Sequence, residues 1–573
     1  MRNLIKDGSL GPIHCAGHEI VRRIFVTVRD RNWQEVVPAQ WETQVDSERR
    51  TISLFARHKS ELVDFEWRGT LELGADHRSI RFGFEGKARR DMDVCRLGLI
   101  VLHPPEAMIG SRVTARSDQS ESSLTIPAQL SPQPIVDGVP GALTEPFSEL
   151  RIGRPGFGVL ELRFDGDLFE LEDQRNWGDA SFKSYCTPLR LGYPRAVAEG
   201  TRVAHRVDIE FEPAAPGSGE RNISSPRTDA AADAAEFPKL GCEWRKDLSP
   251  ITGEALPASY RHYYIDATDA AAPEHLRALL EWSPHARIEV GVDAQAQRAL
   301  PPNQLSLVRE HIARISRIVV YGAGTGLPSE WAIESWRRVI QDATRSPVPL
   351  LAGTRGYYVE YNRQVPLAAP TQGIAFPLTA TVHTDELGTI IENVATVADM
   401  ASAARQLMRL PEMAIVPLAL YYPGTPHHSN FPPPLVLPWV TATMIHAALA
   451  GITSVTLAHD LLEVVLDVGP NHAAFLAQLA DSAGREVWPI ESSMPAGVHA
   501  MVLGARGDAP MQVLATNLTS EVQQVALATS TMRIVKCIDA ATGAELTVDG
   551  ARIDMPGRSA VWIDVERQAP EAT

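Results

Sequence analysis

The chain is short of the signatures that would name a chemistry at sight. It has no G-x-S-x-G elbow, no P-loop, no H-E-x-x-H and no G-x-G-x-x-G after a strand-like run. That argues against a serine hydrolase of the usual type and against a nucleotide enzyme. GAGTG, Gly322 to Gly326, lacks the third spacing and the acidic partner and reads as a turn. Paired cysteines are missing too. Cys15, Cys95, Cys186, Cys242 and Cys537 are odd in number and scattered, without a Cys-x-x-Cys, which fits a reducing compartment better than a disulfide framework. HCAGH, His14 to His18, is a single cluster, and His427–His428 has no ligand spacing. No metal and no other cofactor is expected.

Positive charge is also scarce. Lys and Arg total 54 against 70 Asp and Glu, for a formal net charge of -16. A nucleic-acid partner normally requires a basic face, and an anionic membrane surface would repel this chain. Met413 to His459 contains no Asp, Glu, Lys or Arg, yet Pro417, Pro423, Pro426, Pro432, Pro433, Pro434 and Pro438 interrupt it. No apolar run reaches the ~20 residues of a membrane span. Two buried strands and a buried helix are the expectation there. The first residues, MRNLIKDGSLGPIHC, have no apolar run of signal-peptide length, so a cytoplasmic location is expected. The oligomeric state is left open.

What is present is length, 573 residues with 44% hydrophobic, enough for several ordinary globular domains. Arg50–Arg57, Glu61–Leu73, Ser79–Phe84, Arg96–His103, Gly156–Phe164, Leu168–Leu171 and Arg202–Phe211 are short runs rich in Val, Ile, Leu and Phe, punctuated by Gly, Asp and Pro. They predict an N-terminal β-sandwich over 1–215. Glu212 to Glu236 is rich in Ala, Pro, Ser and Gly, and a linker is drawn over 216–256. The rhythm then alternates. Strands are predicted at His262–Ile265, Arg287–Val290, Arg317–Val320, Pro349–Ala352, Gly373–Phe376, Ala414–Leu420, Ser454–Leu457 and Glu486–Ile490. Helices are predicted at Pro273–Trp282, Asn303–Ile315, Ser329–Ala343, Thr389–Leu407, Val440–Ala450 and Pro470–Ala480. Eight strands with intervening helices predict a (β/α)8 barrel over 257–495; only the step from the fourth strand to the fifth lacks a helix. Strand-like runs return over 496–573 as a C-terminal β domain.

A barrel of this kind works at the carboxyl ends of its strands. On the predicted count, Asp266 ends the first strand and Asp293 follows the second. TRGYYVEYNR follows the fourth, VHTDE the fifth, and TLAHD, with His459 and Asp460, the seventh. Glu360 lies among Tyr357, Tyr358 and Tyr361 with Asn362 and Arg363 beside it; aromatic neighbours suit a sugar-like ligand and raise a carboxyl's pKa, as a general acid or base requires. His383 with Asp385 or Glu386 has the form of an imidazole oriented by a carboxylate. EDQRNWGDASFKSY, Glu172 to Tyr185, concentrates charges, an amide and an indole directly after a strand, which points to a polar network at a site or an interface.

These stretches, EDQRNWGDASFKSYCTPL above all, with GLIVLHPPEAMIG, PAQLSPQP, GTRGYYVEYNR and VHTDE, make the whole chain resemble the D-apionate lactonase family. The resemblance implies a glycosidase-like barrel between β domains and hydrolysis of a sugar-derived lactone, D-apionolactone to D-apionate. Glu360 or His383 with Asp385 is then the expected general base. Arg175 and Lys183 are expected at the lactone carbonyl or its oxyanion, Glu172, Asn176 and Asp179 at sugar hydroxyls, Trp177 as a wall, with Tyr358 and Asn362 lining the site. The absence of a Glu after the predicted seventh strand speaks against a two-carboxylate glycosidase. That alternative stays open, as does a non-catalytic sugar-binding protein.

Overall fold

The computed structural model describes residues 5–6, 9–76, 78–215, 235–246, 260–294, 299–364, 370–383, 386–408, 411–421, 431–490, 494–505, 510–527 and 532–567. They fall into two compact units. One takes the chain up to Arg175 and resumes at Ala180; the other takes Asn176–Asp179 together with the barrel and everything after it.

The N-terminal unit is built from antiparallel strands because its apolar residues recur at period two. In Asp64–Leu73 the residues Phe65, Trp67 and Leu71 point inward while Arg68 and Glu72 are exposed, the alternation of a half-buried strand. A nine-stranded sheet runs from Glu121–Thr125 at one edge to Pro38–Asp46 at the other, and a seven-stranded sheet is centred on Arg23–Asp30 and Met92–His103. Ile24, Val26, Leu97 and Leu99 of the second sheet join Phe65, Trp67, Phe82 and Leu160 of the first in a single core. Each such buried side chain contributes roughly 1.5–3 kcal/mol. At one edge Glu170–Asp173 pairs antiparallel with Phe182–Tyr185, setting Glu172 opposite Lys183.

The second unit contains a closed barrel of eight parallel strands. They are Lys239–Glu243, Tyr263–Asp266, Ile288–Asp293, Ile315–Tyr321, Leu350–Gly353, Gly373–Thr379, Glu412–Ala419 and Ser454–Leu457. This corrects the predicted count at both ends. Lys239–Glu243, inside the stretch drawn as a linker, is the first strand and closes the ring by pairing with Ser454–Leu457. KLGCE has too few large apolar residues to announce itself. Glu486–Pro489, predicted as the eighth strand, instead pairs antiparallel with Val498–Leu503 in a six-stranded C-terminal sheet. The step predicted to lack a helix holds only a short one, Val359–Arg363.

Inside the barrel Tyr264 and Tyr321 meet hydroxyl to hydroxyl at 3.0 Å, among Val319, Leu351, Ala375, Ala414 and Val416. Two tyrosines fit because Gly291 faces them: a Cβ there would collide with the Tyr264 hydroxyl. Near the strands' opening residues, Arg317 donates to Glu289 at 2.7 Å and approaches Glu412 at 3.4 Å, a buried network away from the carboxyl ends.

The uncharged segment resolves into the strand Glu412–Ala419, the helix Pro433–Leu449 and the strand Ser454–Leu457. The helix is apolar on every side because the second unit encloses it. Its residues Leu435 to Ile445 are all buried, and the carbonyl of Pro438 accepts from Thr516 of the C-terminal sheet at 3.2 Å. No helix is long and apolar enough to cross a membrane among the described residues.

Candidate functional site

With Lys239–Glu243 counted first, the carboxyl ends present Glu243, Asp266, Asp293 and Tyr321 on strands one to four. Thr354 to Arg363 follows strand five, His383 strand six, Tyr421 strand seven, and His459 with Asp460 strand eight. Every predicted site residue in the barrel therefore moves by one strand. TLAHD follows strand eight, and the true strand seven, Glu412–Ala419, is followed by the uncharged segment, so no carboxylate comes directly after it on the corrected count either. Tyr422, His427 and His428, which do follow strand seven in sequence, lie outside the described residues, as does Asp385.

The four residues Asn176–Asp179 are part of the barrel's unit, and each is tied to it. Asp179 Oδ2 is hydrogen-bonded to Nδ1 of His383, and its Oδ1 accepts from Asn393 at 3.2 Å. Asn176 Oδ1 accepts from Asn362 Nδ2 at 2.5 Å, and the Gly178 carbonyl from Thr396 at 3.0 Å. The Trp177 ring lies 5.4 Å from Tyr357 and 5.7 Å from His383, with the Arg363 guanidinium 5.2 Å from its centre. The Asp179 side chain is only 4% exposed while that of His383 is 23% exposed. A carboxylate at Nδ1 fixes the ring proton there and leaves the Nε2 lone pair to receive another.

Of the two orienting partners predicted for His383, Asp385 lies outside the described residues and Glu386 has another use. Glu386 accepts from the backbone N–H of Gly388 at 3.0 Å and of Thr389 at 2.6 Å. It caps the helix Leu387–Asn393, as a carboxylate at a helix N-terminus does.

Glu360 is half-buried and paired with Arg363 at 2.9 Å across one turn of the short helix. Burial raises its carboxyl, and Arg363 opposes that rise. A Cβ on Gly356 would sit 3.0 Å from Glu360 Cγ, so the absence of one lets the carboxylate lie over the loop. The tyrosines do not ring Glu360 as expected. Tyr361 donates to the carbonyls of Ala352 at 2.6 Å and Ala375 at 2.9 Å inside the barrel wall. Tyr358 is 1% exposed against Phe376, with no hydrogen bond on its hydroxyl among the described residues.

The rest of the predicted constellation lies in the other unit. Arg175, fully buried, forks onto Asp173 at 2.9 and 2.8 Å, donates to the Ala128 carbonyl at 2.8 Å and lies 4.9 Å from the Phe182 ring. Lys183 pairs with Glu172 at 2.7 Å; burial lowers its pKa, and Glu172 opposes that. Glu172 also accepts from Gln133 at 2.9 Å. Geometrically these are partners of one another within the N-terminal unit.

Sequence reasoning missed two residues. Arg355, after strand five, donates to Asp266 at 2.6 and 3.0 Å and to Thr268 at 3.1 Å, with its guanidinium 4.2 Å from the Tyr321 ring. Glu243, at the end of strand one, accepts from the His459 backbone N–H at 3.2 Å. Burial raises its carboxyl, and Asp266 and Asp460 push the same way. Both residues follow the strand rule; Glu243 was hidden because its strand was read as linker.

One group of described residues has metal-ligand types close together: Asp167, Cys186 and His205 in the N-terminal unit, with ligand atoms within 4.8 Å. Their polar atoms are already engaged. Thr187 donates to Asp167, Leu99 N–H points at His205 Nδ1 at 3.3 Å, and the Cys186 thiol donates to the Leu99 carbonyl at 3.4 Å. Burial raises the thiol further, which disfavours the thiolate a metal needs.

Residues 1–214 match the family described as D-apionate lactonase, N-terminal domain. A curated relative, the D-apionate lactonase of Brucella anthropi, is 28% identical over 210 residues, which cover 35% of this chain and 32% of that protein. Among solved structures, an alpha-galactosidase from Geobacillus stearothermophilus aligns over 95% of this chain and 89% of its own, at 10% identity and a TM-score of 0.30. The alpha-galactosidase from Lactobacillus brevis aligns over 96% and 88%, at 10% and 0.31. A 4-O-alpha-L-rhamnosyl-beta-D-glucuronidase from Fusarium oxysporum aligns over 59% and 99%, at 11% and 0.35. Likeness at these scores carries no argument about what this chain does.

Proposed function

We propose, from the premise that residues 1–214 belong to the D-apionate lactonase N-terminal domain family, that the chain is a sugar lactonase acting on an aldonolactone, D-apionolactone by preference. The observation that carries the chemistry is the Asp179–His383 pair. A lactone needs an activated water, a stabilised oxyanion and a proton for the leaving ring oxygen. Nε2 of His383 takes the proton from water as the oxygen attacks the acyl carbon. The imidazolium is held by the buried Asp179. It returns that proton to the ring oxygen as the acyl C–O bond breaks, giving the hydroxy acid. Asp179 keeps the ring in one tautomer and orientation throughout. Trp177 and Tyr357 provide apolar rings for the sugar's C–H faces, and the Asn176–Asn362 pair lines the same cluster. We assign Glu360, tied to Arg363, to shaping the site rather than to the base.

A second reading, a glycoside hydrolase, draws on Glu243, whose carboxyl is held toward its protonated form beside Asp266. One panel separates the two: aldonolactones followed by pH-stat against aryl glycosides followed by chromophore release. Lactone opening without glycoside cleavage is expected; the reverse would overturn the lactonase assignment. We further read the β regions before and after the barrel in sequence as sandwiches, with the limit near 257 moved back to take in the strand Lys239–Glu243 and the limit near 495 moved back to release Glu486–Pro489. The five free cysteines fit a cytoplasmic enzyme.

A further inference from the structure

We infer that Glu243, Asp266 and Arg355 form the part of the site that reads substrate hydroxyls, making the enzyme specific for polyhydroxylated lactones over bare ones. This rests on the lactonase reading above. The three sit at the carboxyl ends of strands one, two and five. Arg355 has five N–H donors, of which two serve Asp266 and one serves Thr268. Its Nε makes no hydrogen bond among the described residues, and its side chain is 36% exposed. The guanidinium is nevertheless fixed: Asp266 holds it edge-on and Tyr321 supports its face. Its remaining donors point from a position that needs no reordering when a ligand arrives.

Glu243 complements it. Its Oε2 takes the His459 N–H, and its Oε1 has no hydrogen bond among the described residues. Around it Asp266 and Asp460 are matched by Arg355 and Arg245. Such a balance of charges offers no net attraction for an anion and suits neutral hydroxyls, which donate to a carboxylate and accept from a guanidinium or a protonated carboxyl. Burial holds Glu243 toward the protonated form, able to do either.

The cluster is joined to the dyad through the loop after strand five. Arg355 and Tyr357 are two residues apart, hence at most about 7 Å along the chain. Tyr357 contacts Trp177, and Trp177 contacts His383. Glu360 lies over the intervening Gly356. The hydroxyls of a lactone whose acyl carbon lies at His383 are assigned to the Arg355 side of this loop.

The test is the ratio of kcat/KM for a hydroxylated aldonolactone over γ-butyrolactone, which has the same ring and no hydroxyl. A hydrogen bond to a charged partner corresponds to roughly 10- to 150-fold and one to a neutral partner to somewhat less, so Arg355→Gln should lower the ratio by about tenfold or more, and Glu243→Leu, which removes both donor and acceptor, by several-fold. Arg355→Gln takes the guanidinium from Asp266; if that variant does not fold, Glu243→Leu and Arg355→Lys decide. An unchanged ratio in folded variants, or equal losses on both substrates, would overturn the inference while leaving the lactonase reading intact. If the wild type opens neither lactone, the lactonase reading fails. Calorimetric affinity for the aldonolactone then tests the cluster alone, with undiminished binding in both variants as the refuting result.

Discussion

Glu172–Arg175 and Asn176–Asp179 are adjacent in sequence and opposite in physical character. In the first, Asp173 and Glu172 are neutralised by Arg175 and Lys183, long cations buried with them in the N-terminal unit. In the second, Asp179 is equally buried, but its partner is an imidazole that stays partly open to solvent. A carboxylate paired with guanidinium has nothing left to give or take. A carboxylate paired with imidazole can hold a ring in place while the other nitrogen moves a proton. The same charge chemistry yields a structural clamp on one side of a single peptide bond and, on the proposed mechanism, a support for the general base on the other.

The largest effect should come from breaking the second pair. His383→Ala and Asp179→Asn should each cut lactone turnover by about 10²–10⁴-fold, with the melting temperature nearly unchanged. A variant of either kind with near-normal turnover would dissolve the contrast. Breaking the first pair should do the converse. Arg175→Met removes the cation beside the buried Asp173 carboxylate and should cost about 3–5 kcal/mol in a urea titration, while the folded fraction keeps its KM. A shift in KM without loss of stability would return Arg175 to the site. Between these lies Glu360→Gln, which keeps shape and removes the titrating proton. Its loss of turnover should stay below that of His383→Ala; a loss equal to it would transfer the base to Glu360.

The smallest effect is a pH slope. Glu243 and Glu360 have carboxyls raised above the ordinary 4.5, in each case chiefly by burial. Between 4.5 and those raised values the folded chain binds protons that the unfolded chain does not, so acidification from neutral toward 4.5 favours the fold. Asp64 in the N-terminal unit is lowered below 3.8 chiefly by its hydrogen bond from Arg57. Its contribution is present above 3.8 and is lost as pH falls through its folded value. The double variant Glu243→Gln with Glu360→Gln should therefore flatten the stability gain above 4.5, whereas Asp64→Asn should act only at lower pH. Thermal melts from pH 3 to 7 read both arms.

The rhythm of strand and helix from Tyr263 onward was legible because Val, Ile and Leu cluster in short runs between polar helices. Lys239–Glu243 was not, since a five-residue strand with Lys, Gly and Glu resembles the loop before it, and that one omission displaced the whole strand count. The stretch around Trp177 declared itself by composition, having more polar chemistry than either a loop or a core would use. Its division into a clamp and a dyad did not, because Asp179 and His383 are 204 positions apart and only folding brings them together. Arg175 misled for a related reason: nothing local reveals that its donors are consumed by Asp173, Ala128 and Gln129.

That long separation also sets an order of events. A nascent chain makes Asp179 well before His383, and the pair cannot exist until six barrel strands have been made and residues 176–179 have been seated among them. On the proposed mechanism, lactone turnover is thus a late reporter of assembly. In a refolding experiment far-UV signal should recover first, burial of Trp177 next and turnover last, so an incomplete chain stays chemically silent however much of its secondary structure it has acquired.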